Sequence, residues 1–339
     1  MTGGAAETAT PRVGVVAIGR NEGERLRVCL ESARRDVDAI VYVDSGSTDD
    51  SVAMARSIGA EVVDLDTSIP FTAARARNAG FERLTKVWPD VKLVQFVDGD
   101  CEIEAGWIHA ARSALVDGDW TVLCGRRRER HPDASVYNLL CDMEWDTPVG
   151  ETSACGGDSL IRVDALQAVG GYREDLIAGE EPELCVRLAE QGGRILRLDA
   201  AMTLHDADMW RASQWWTRAV RAGHAAAEAR TLHPGADEGR SEKDVRSAWF
   251  WAAILPAAIV VTAFVFAPLS VLLAAAIPLQ ILRIGLRQPR PNFSLRDNLL
   301  YAAACVIGKA PHLQGMLRFD RGRRTGKRST LIEYKGVPR

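Results

Sequence analysis

Between Ala248 and Leu282 the chain runs for 35 residues without one charged side chain. A helix rises about 1.5 Å per residue and the apolar layer of a bilayer is about 30 Å thick, so one span takes about 20 residues. The run is too long for a single comfortable span. Pro268 near its middle predicts a break, giving two short helices over 249–266 and 269–284, an apolar helical hairpin across 248–284. Trp249 and Trp251 are placed for a membrane–water interface. Arg283, Arg287, Arg290 and Arg296 follow at once, which assigns that end to the cytosolic side. If the body before the run is cytosolic too, the run either crosses twice or dips in and returns. The competing expectation is a helical hairpin buried in a water-soluble core.

Charge divides the chain in the same place. From Arg240 onward 16 Lys and Arg stand against 5 Asp and Glu, while the 239 residues before hold 26 against 40. The net charge of -3 therefore hides an acidic body and a basic tail. The acidic body excludes broad nucleic-acid binding, and the apolar content of the tail points to anionic lipid. Leu299–Gly308 is too short to span and is expected to lie in the interface, with Arg318, Arg321, Arg323, Arg324, Lys327 and Arg328 on lipid phosphates. The 7 cysteines are scattered with no C-x-x-C pair, the pattern of reduced thiols rather than of a disulfide framework or zinc site. The opening MTGGAAETATPR lacks a signal peptide's apolar segment and is expected to be flexible over 1–11.

In the acidic body, strands and helices alternate. VGVVAI (13–18) reads as a buried parallel strand, and Arg20–Arg34 has helical apolar spacing at Leu26, Leu30 and Ala33. AIVYVD leads into the polar turn SGSTDD. A helix over Ser51–Ile58, a strand over Ala60–Leu65, a helix over Ala73–Leu84 and a strand LVQFVD follow. This order predicts a parallel α/β sheet, whose ligands bind at the carboxyl ends of strands. Asp44, Asp98 and Asp100 fall there.

Two carboxylates one residue apart in extended chain, Asp98 and Asp100, project to the same side and suit a hard divalent cation that also holds phosphate oxygens. The preceding buried strand distinguishes this D-x-D from an exposed loop. Val43-Asp44-Ser45-Gly46-Ser47-Thr48-Asp49 reads as an Asx turn and helix cap, and also as a place where Asp44 accepts a hydrogen bond from a base edge. Arg20-Asn21-Glu22, at the end of the first strand, is its neighbour. In Gly179-Glu180-Glu181-Pro182-Glu183, Pro182 suits a first helical turn and acids there are favoured, which accounts for Glu183. Glu180 and Glu181 are less well explained by capping, and a crowded, desolvated carboxylate makes a general base.

Taken in order, Arg20-Asn21-Glu22, VYVDSGSTDDS, ARARNAGF, FVDGD, GGDSLIRVDALQAVGGYREDL, the Glu-Glu-x-Glu-Leu-x-x-Arg stretch and Leu204-His205 resemble family-2 glycosyltransferases over roughly residues 12–210. The resemblance implies a GT-A (Rossmann-like) fold, a mixed, mostly parallel sheet with helices on both faces, here followed by the hydrophobic helical membrane region. It also implies a nucleotide-diphosphate sugar donor, Mg²⁺ or Mn²⁺, and inversion at the anomeric carbon. Carried over residue by residue, Arg20, Asn21, Glu22 and Asp44 belong to the nucleotide-sugar site, with Asp44 on the base. Asp98 contacts ribose or metal and Asp100 binds metal. Arg77 and Asn78 lie near the donor phosphates. Gly156, Gly157 and Asp158 line the acceptor side under the donor sugar. Glu181 takes the position of the base where the family usually has Asp, with Glu180 as the fallback. His205 completes the metal site as in some relatives, or is a satisfied polar residue at a strand end.

Trp216–His224 resembles a stretch of membrane-bound members. Its Arg218 and Arg221 share one helix face, for a donor diphosphate, an acceptor phosphate or lipid headgroups. Leu331–Lys335 is similar to tails of bacterial exopolysaccharide glycosyltransferases. The expected organisation is a glycosyltransferase domain over 12–232, a polar linker over 233–247, the hairpin, and a basic, partly amphipathic tail over 285–339. The expected setting is the bacterial inner membrane with a cytoplasmic catalytic domain. The expected task is hexosyl transfer to a lipid-linked or glycan acceptor in cell-surface polysaccharide synthesis, with membrane lipid as partner and no nucleic acid. Transfer to polyprenyl phosphate and a non-catalytic membrane scaffold are the alternatives. Nucleotidyl transfer would want a more glycine-rich and basic first loop than GRNEGERL.

Overall fold

The computed structural model describes residues 11–116, 118–236, 240–287, 290–326 and 332. The chain divides into two compact units. The first comprises 11–127, 148–174 and 187–205, and the second 128–147, 175–186 and the described residues from 206 on.

The first unit is built on one sheet. Its strands are β1 (Val13–Gly19), β2 (Ala39–Asp44), β3 (Glu61–Asp64), β4 (Leu93–Asp98), β5 (Cys101–Ile103), β6 (Val122–Glu129), β7 (Gly150–Thr152), β8 (Ser159–Arg162) and β9 (Ile195–His205). Their order is β3-β2-β1-β4-β8-β6-β9-β5, with β7 also on β9. β3, β2, β1 and β4 run parallel. β8 is antiparallel to β4, which makes the sheet mixed. β2 is buried at every position, as a continuous apolar run covered on both faces requires. Register aligns the functional ends: Gly19 pairs with Asp44 and Ile18 with Asp98. The chain leaves β1 toward β2 on one side and returns to β4 on the other, so its carboxyl end is a topological switch point, where open α/β sheets bind ligands.

Helices α1 (Glu24–Arg34), α2 (Ser51–Ile58), α3 (Ala73–Val87) and α4 (Trp107–Val116) connect these strands. α1 starts later than the expected Arg20, because Asn21 (φ 56°) and Gly23 (φ 54°) take left-handed backbone that no helix admits. α3 lies close on the sheet at Gly80, where a Cβ would stand 2.4 Å from Val16 Cγ1 and 2.8 Å from Val43 Cγ2.

Further along come α5 (Val136–Trp145), α6 (Val163–Ala168), α7 (Glu180–Glu190), α8 (Ala212–Leu232), α9 (Arg240–Trp249), α10 (Leu255–Val265), α11 (Ala267–Arg287), α12 (Leu295–Ile307) and α13 (Lys309–Thr325). In the second unit α8 and α13 meet through glycine. A Cβ on Gly223 would lie 2.0 Å from the His312 carbonyl, and one on Gly315 2.0 Å from that of Val220. Ala227, Val245, Ala248, Leu313, Met316 and Phe319 form the core beside this crossing.

The uncharged run is helical and is broken once into two helices. The first helix begins inside the stretch expected to be linker and continues through a π-helical turn, Phe250–Ile254, into α10. Pro256 cannot supply the N–H that would bond the Ala252 carbonyl, and the helix widens just before it. The break falls at Phe266, and Pro268 sits within the first turn of α11, where proline is tolerated. Glu242–Val265 and Ala267–Arg287, 24 and 21 residues, are long and apolar enough to cross a membrane. Leu299–Gly308 belongs to α12, whose start Ser294 caps by accepting from Asp297 N at 3.2 Å. Of the tail residues singled out above, Lys327, Arg328 and Leu331 with Glu333–Lys335 lie outside the described residues, whereas Ile332 is buried with Ile177 and Val220.

Candidate functional site

At the carboxyl ends of β1, β2 and β4 the first unit gathers most of the residues that the sequence singled out. Asp44 is buried, and its carboxylate is held from both sides. Oδ1 accepts from Tyr42 OH at 2.9 Å, and Oδ2 accepts from Gly46 N at 2.9 Å and Ser47 N at 2.8 Å. Burial and the Asp44 charge push the Tyr42 hydroxyl far up, so it stays a donor. Asn21 ties the first two loops together: its N–H donates to Ser47 Oγ at 2.9 Å and its Oδ1 accepts from Thr48 N at 2.7 Å. Glu22 pairs with Arg25 at 2.8 Å. Arg20 is exposed.

Asp98 ends β4 and enters a compact array of alternating charge. Arg77, almost fully buried on α3, donates to Asp98 Oδ1 at 2.9 Å. Arg127 on β6 donates through Nε to Asp158 Oδ2 at 2.9 Å, and its Nη2 stands 2.7 Å from that oxygen and 3.6 Å from Asp98 Oδ2. Asp158 accepts further bonds from Thr203 Oγ1 at 2.7 Å and Asp98 N at 3.2 Å. Burial alone would lower the Arg127 pKa, but Asp158 and its neighbours outweigh burial and drive it upward, so the guanidinium is fixed as a cation. Gly157 leaves room for this array, since a Cβ there would reach Arg77 Nη2 at 3.2 Å and Arg127 Nη2 at 3.4 Å.

Asp100 faces a different set. Its Oδ1 is 3.5 Å from His205 Nε2 and 3.7 Å from Cys101 Sγ, and all three residues are buried. The strand register brings this about, because Cys101 on β5 pairs directly with His205 on β9. Burial, then the Asp158 charge, holds the Cys101 thiol protonated in the absence of a cation.

Two expected residues stand in bracing positions. Asn78 spends its amide on the turn after α6, donating to Tyr172 O at 2.8 Å and Glu174 Oε1 at 3.0 Å and accepting from Tyr172 N at 2.8 Å. Asp158 is fully buried under Arg127. Gly156 adopts φ 89° in the loop before β8. The sequence reading missed Arg127, Thr203 and Cys101. Arg127 lay in plain view as the middle of Arg126-Arg127-Arg128 after a buried strand, the same strand-then-charge pattern that marked Asp98.

In the second unit Glu180, Glu181 and Glu183 form the first turn of α7, all buried. Glu181 Oε1 accepts from the Cys185 thiol one turn on, at 3.1 Å, and Glu183 stands 3.1 Å from His233 Nε2. On α8, Arg218 is already engaged with Glu144, at 2.6 and 2.9 Å in a forked pair. Trp216 Nε1 donates to Gln314 at 2.7 Å. Arg290 lies over the Tyr301 ring at 3.9 Å.

Residues 15–165 match the family model described as glycosyl transferase family 2. Over 172 residues the chain is 27% identical to a pre-mycofactocin glycosyltransferase of Mycobacterium tuberculosis, a match covering 48% of this chain and 35% of that protein. The chain thus spans about a third of that relative's length. A TPR repeat-containing protein of Synechococcus elongatus is 26% identical over 258 residues, 70% of this chain and 60% of that one. Among solved structures, a mannosyltransferase of Pyrobaculum calidifontis in complex with GDP-Man and Mn²⁺ superposes with a TM-score of 0.64 at 18% identity, covering 92% of this chain and 88% of that chain. At that identity the likeness speaks for the fold, and it agrees with the mixed, mostly parallel GT-A sheet.

Proposed function

We propose, from the match of residues 15–165 to the model described as glycosyl transferase family 2, that the chain is an inverting, metal-dependent glycosyltransferase. In this reading it moves a sugar from a nucleoside-diphosphate sugar to an acceptor hydroxyl. The observation that carries the reading is the strand-end array in which Asp98 is paired to Arg77 beside Arg127, with Asp100 and His205 forming a second set. A buried carboxylate and imidazole 3.5 Å apart fit Mg²⁺ or Mn²⁺, the latter present in the similar mannosyltransferase. Asp100 and His205 would hold the ion, which supplies charge stabilisation for the departing diphosphate. Arg77 stays cationic beside Asp98 and adds positive charge for the phosphates. Asp44, fixed by three donors, offers its remaining acceptor capacity to the nucleobase. Asn21 and Ser47 hold the loop that carries it.

Glu181 is the base. It takes a proton from the acceptor hydroxyl as that oxygen attacks the anomeric carbon, and the nucleoside diphosphate leaves from the opposite face. The Cys185 thiol donates to the Glu181 carboxylate and holds its rotamer. The two long apolar helices support attachment to a membrane, with the body on the cytoplasmic side of a bacterial inner membrane and a lipid-linked glycan as acceptor.

The test uses the full chain in lipid nanodiscs with Mn²⁺ and a panel of nucleotide sugars. Glu181→Gln is expected to lower turnover by about 10²–10⁴-fold with donor binding unchanged. Asp100→Ala is expected to weaken both. A Glu181→Gln rate near that of the unaltered protein would remove Glu181 as base, and would be the result for an acceptor that is already anionic, such as a polyprenyl phosphate.

A further inference from the structure

The sulfur at position 101 stands inside the ligand set just assigned to a hard cation. Asp100, Cys101 and His205 each offer an atom, and those atoms all lie within 4.8 Å of one another. Two of the edges meet at one atom: Asp100 Oδ1 is 3.5 Å from His205 Nε2 and 3.7 Å from Cys101 Sγ. A tetrahedral zinc ion, with oxygen and nitrogen at about 2.1 Å and sulfur at about 2.3 Å, has O···N and O···S edges of about 3.4 and 3.6 Å. The two edges at Asp100 Oδ1 match those lengths. Relative exposures of 4%, 1% and 5% put all three side chains beyond bulk water. Backbone pairing of Cys101 with His205 fixes two of them, and Asp100 is the next residue in the chain.

Cys101 Sγ is also within 4.8 Å of carboxylate oxygens of Asp98 and Asp158. Those acids are bound to Arg77 and Arg127, and the group that brings sulfur, oxygen and imidazole nitrogen together is Asp100, Cys101 and His205.

We propose that Asp100, Cys101 and His205 together bind a thiophilic divalent cation, of the Zn²⁺, Cd²⁺ or Co²⁺ class, through a Cys101 thiolate. Hard Mg²⁺ uses the oxygen and imidazole donors only, because a thiol is a poor ligand for it. A thiophilic ion displaces the thiol proton: the S–H bond breaks, the proton passes to solvent, and a sulfur–metal bond forms. Three protein ligands leave one position open, so such an ion would also compete with the one the transfer reaction uses. The inference rests on the proposed metal site at Asp100 and His205 and adds to it a third donor that changes which ions it accepts.

The experiment loads the full chain, stripped of metal and held in nanodiscs, with Co²⁺. A near-ultraviolet sulfur-to-cobalt charge-transfer band is expected. It should vanish in Cys101→Ser and persist in Cys124→Ser, whose sulfur faces the Leu196 carbonyl instead. Zn²⁺ affinity should fall in Cys101→Ser by at least about 10–100-fold, the range for losing even an outer-shell partner, while Mg²⁺ affinity holds. No band in the unaltered protein, or a band that survives Cys101→Ser, overturns the proposal. Should Cys101→Ser fail to fold, cadmium NMR of the unaltered protein decides. A shift in the sulfur-ligated range supports the thiolate, and a shift in the oxygen–nitrogen range overturns it. Thermal shifts with Mn²⁺ and nucleotide sugars on the same preparations keep the two readings apart. Their absence beside an intact cobalt band would sink the donor site and leave the thiolate standing.

Discussion

The strand-end array and the apolar hairpin depart from ordinary burial in opposite ways. At the array, charged groups are inside: Asp158 is 0% and Arg77 3% exposed. On the hairpin, large apolar groups are outside: Phe264 is 88% and Val265 80% exposed. Isolated buried charges cost several kcal/mol each, so the first region stands only because each cation meets a carboxylate and Asp158 collects bonds from Arg127, Thr203 and the Asp98 amide. The second finds no such partners within the described residues. Apolar surface of this extent in a folded protein marks contact with something other than water. The first region is completed by the protein, and the second by its surroundings.

The largest expected effect tests the self-completed region. Arg127→Ala removes one member of a buried pair and leaves Asp158 without its principal partner. Unfolding free energy should fall by about 3–5 kcal/mol, read from a denaturant melt in detergent. Replacing both partners by apolar residues, Arg127→Met with Asp158→Leu, should recover most of it, because the cost lies in the orphaned charge. An Arg127→Ala protein as stable as the original would mean that the array is open to water. The hairpin is tested by the opposite change. Val261, 61% exposed, stands about 18 Å along the helix from Trp249, near the middle of a bilayer core. Val261→Arg should cost about 2.5–3.5 kcal/mol of insertion and shift the protein from the vesicle pellet toward the supernatant. On a surface facing water the same change would be neutral and raise solubility. The sign alone therefore separates the two settings.

Between these extremes lies the crossing of α8 and α13, where packing alone decides. Gly223→Ala places a methyl 2.0 Å from the His312 carbonyl, a backbone atom that cannot rotate away. The helices must part, at about 1–3 kcal/mol, seen as a lowered melting temperature with the vesicle partition unchanged. An unaltered melt would show that the two helices already stand further apart.

What could be read from the chain alone follows the same division. Strands ending in acids were legible, because a buried parallel strand leaves an apolar run and its last residue falls at the ligand-binding rim. Asp44 and Asp98 came from that rule. The hairpin was legible in kind from the missing charges, yet its break came at Phe266, since Pro268 fits a first helical turn and Pro256 is met by a π-helical turn. Pairing across the sheet was not legible. Nothing in the spacing of Cys101 and His205 announces that they are register partners, or that Thr203 reaches Asp158, because antiparallel register between β5 and β9 is set by the whole sheet. Asn78 looked like a phosphate ligand from its place beside Arg77. Only the fold shows its amide committed to the turn at Tyr172 and Glu174.

The effect confined to the narrowest window of conditions concerns a polar group held uncharged inside the fold, where the array buries its groups charged. His224 is buried at the α8–α13 crossing, with the edge of Phe319 at 5.2 Å between ring centres and Glu228 at 3.6 Å from Nδ1. Burial, and then the nearby Arg318 cation, holds its pKa down to about 4 from the usual 6.5. The folded protein keeps the ring neutral while the unfolded chain would protonate it near pH 6.5, so between those values the unfolded state binds more protons. The contribution of His224 is therefore fully present above about pH 6.5 and is lost as pH falls toward 4, at no more than about 1.4 kcal/mol per pH unit. His312 is also lowered by burial and by Lys309, so both histidines steepen the same acid limb. His224→Gln should remove one share of the slope in melts taken between pH 6.5 and 4 and leave the alkaline side unchanged. A slope identical to that of the unaltered protein would mean that Glu228 accepts the His224 proton inside the fold. The crossing would then resemble the array, pairing its charges rather than refusing them.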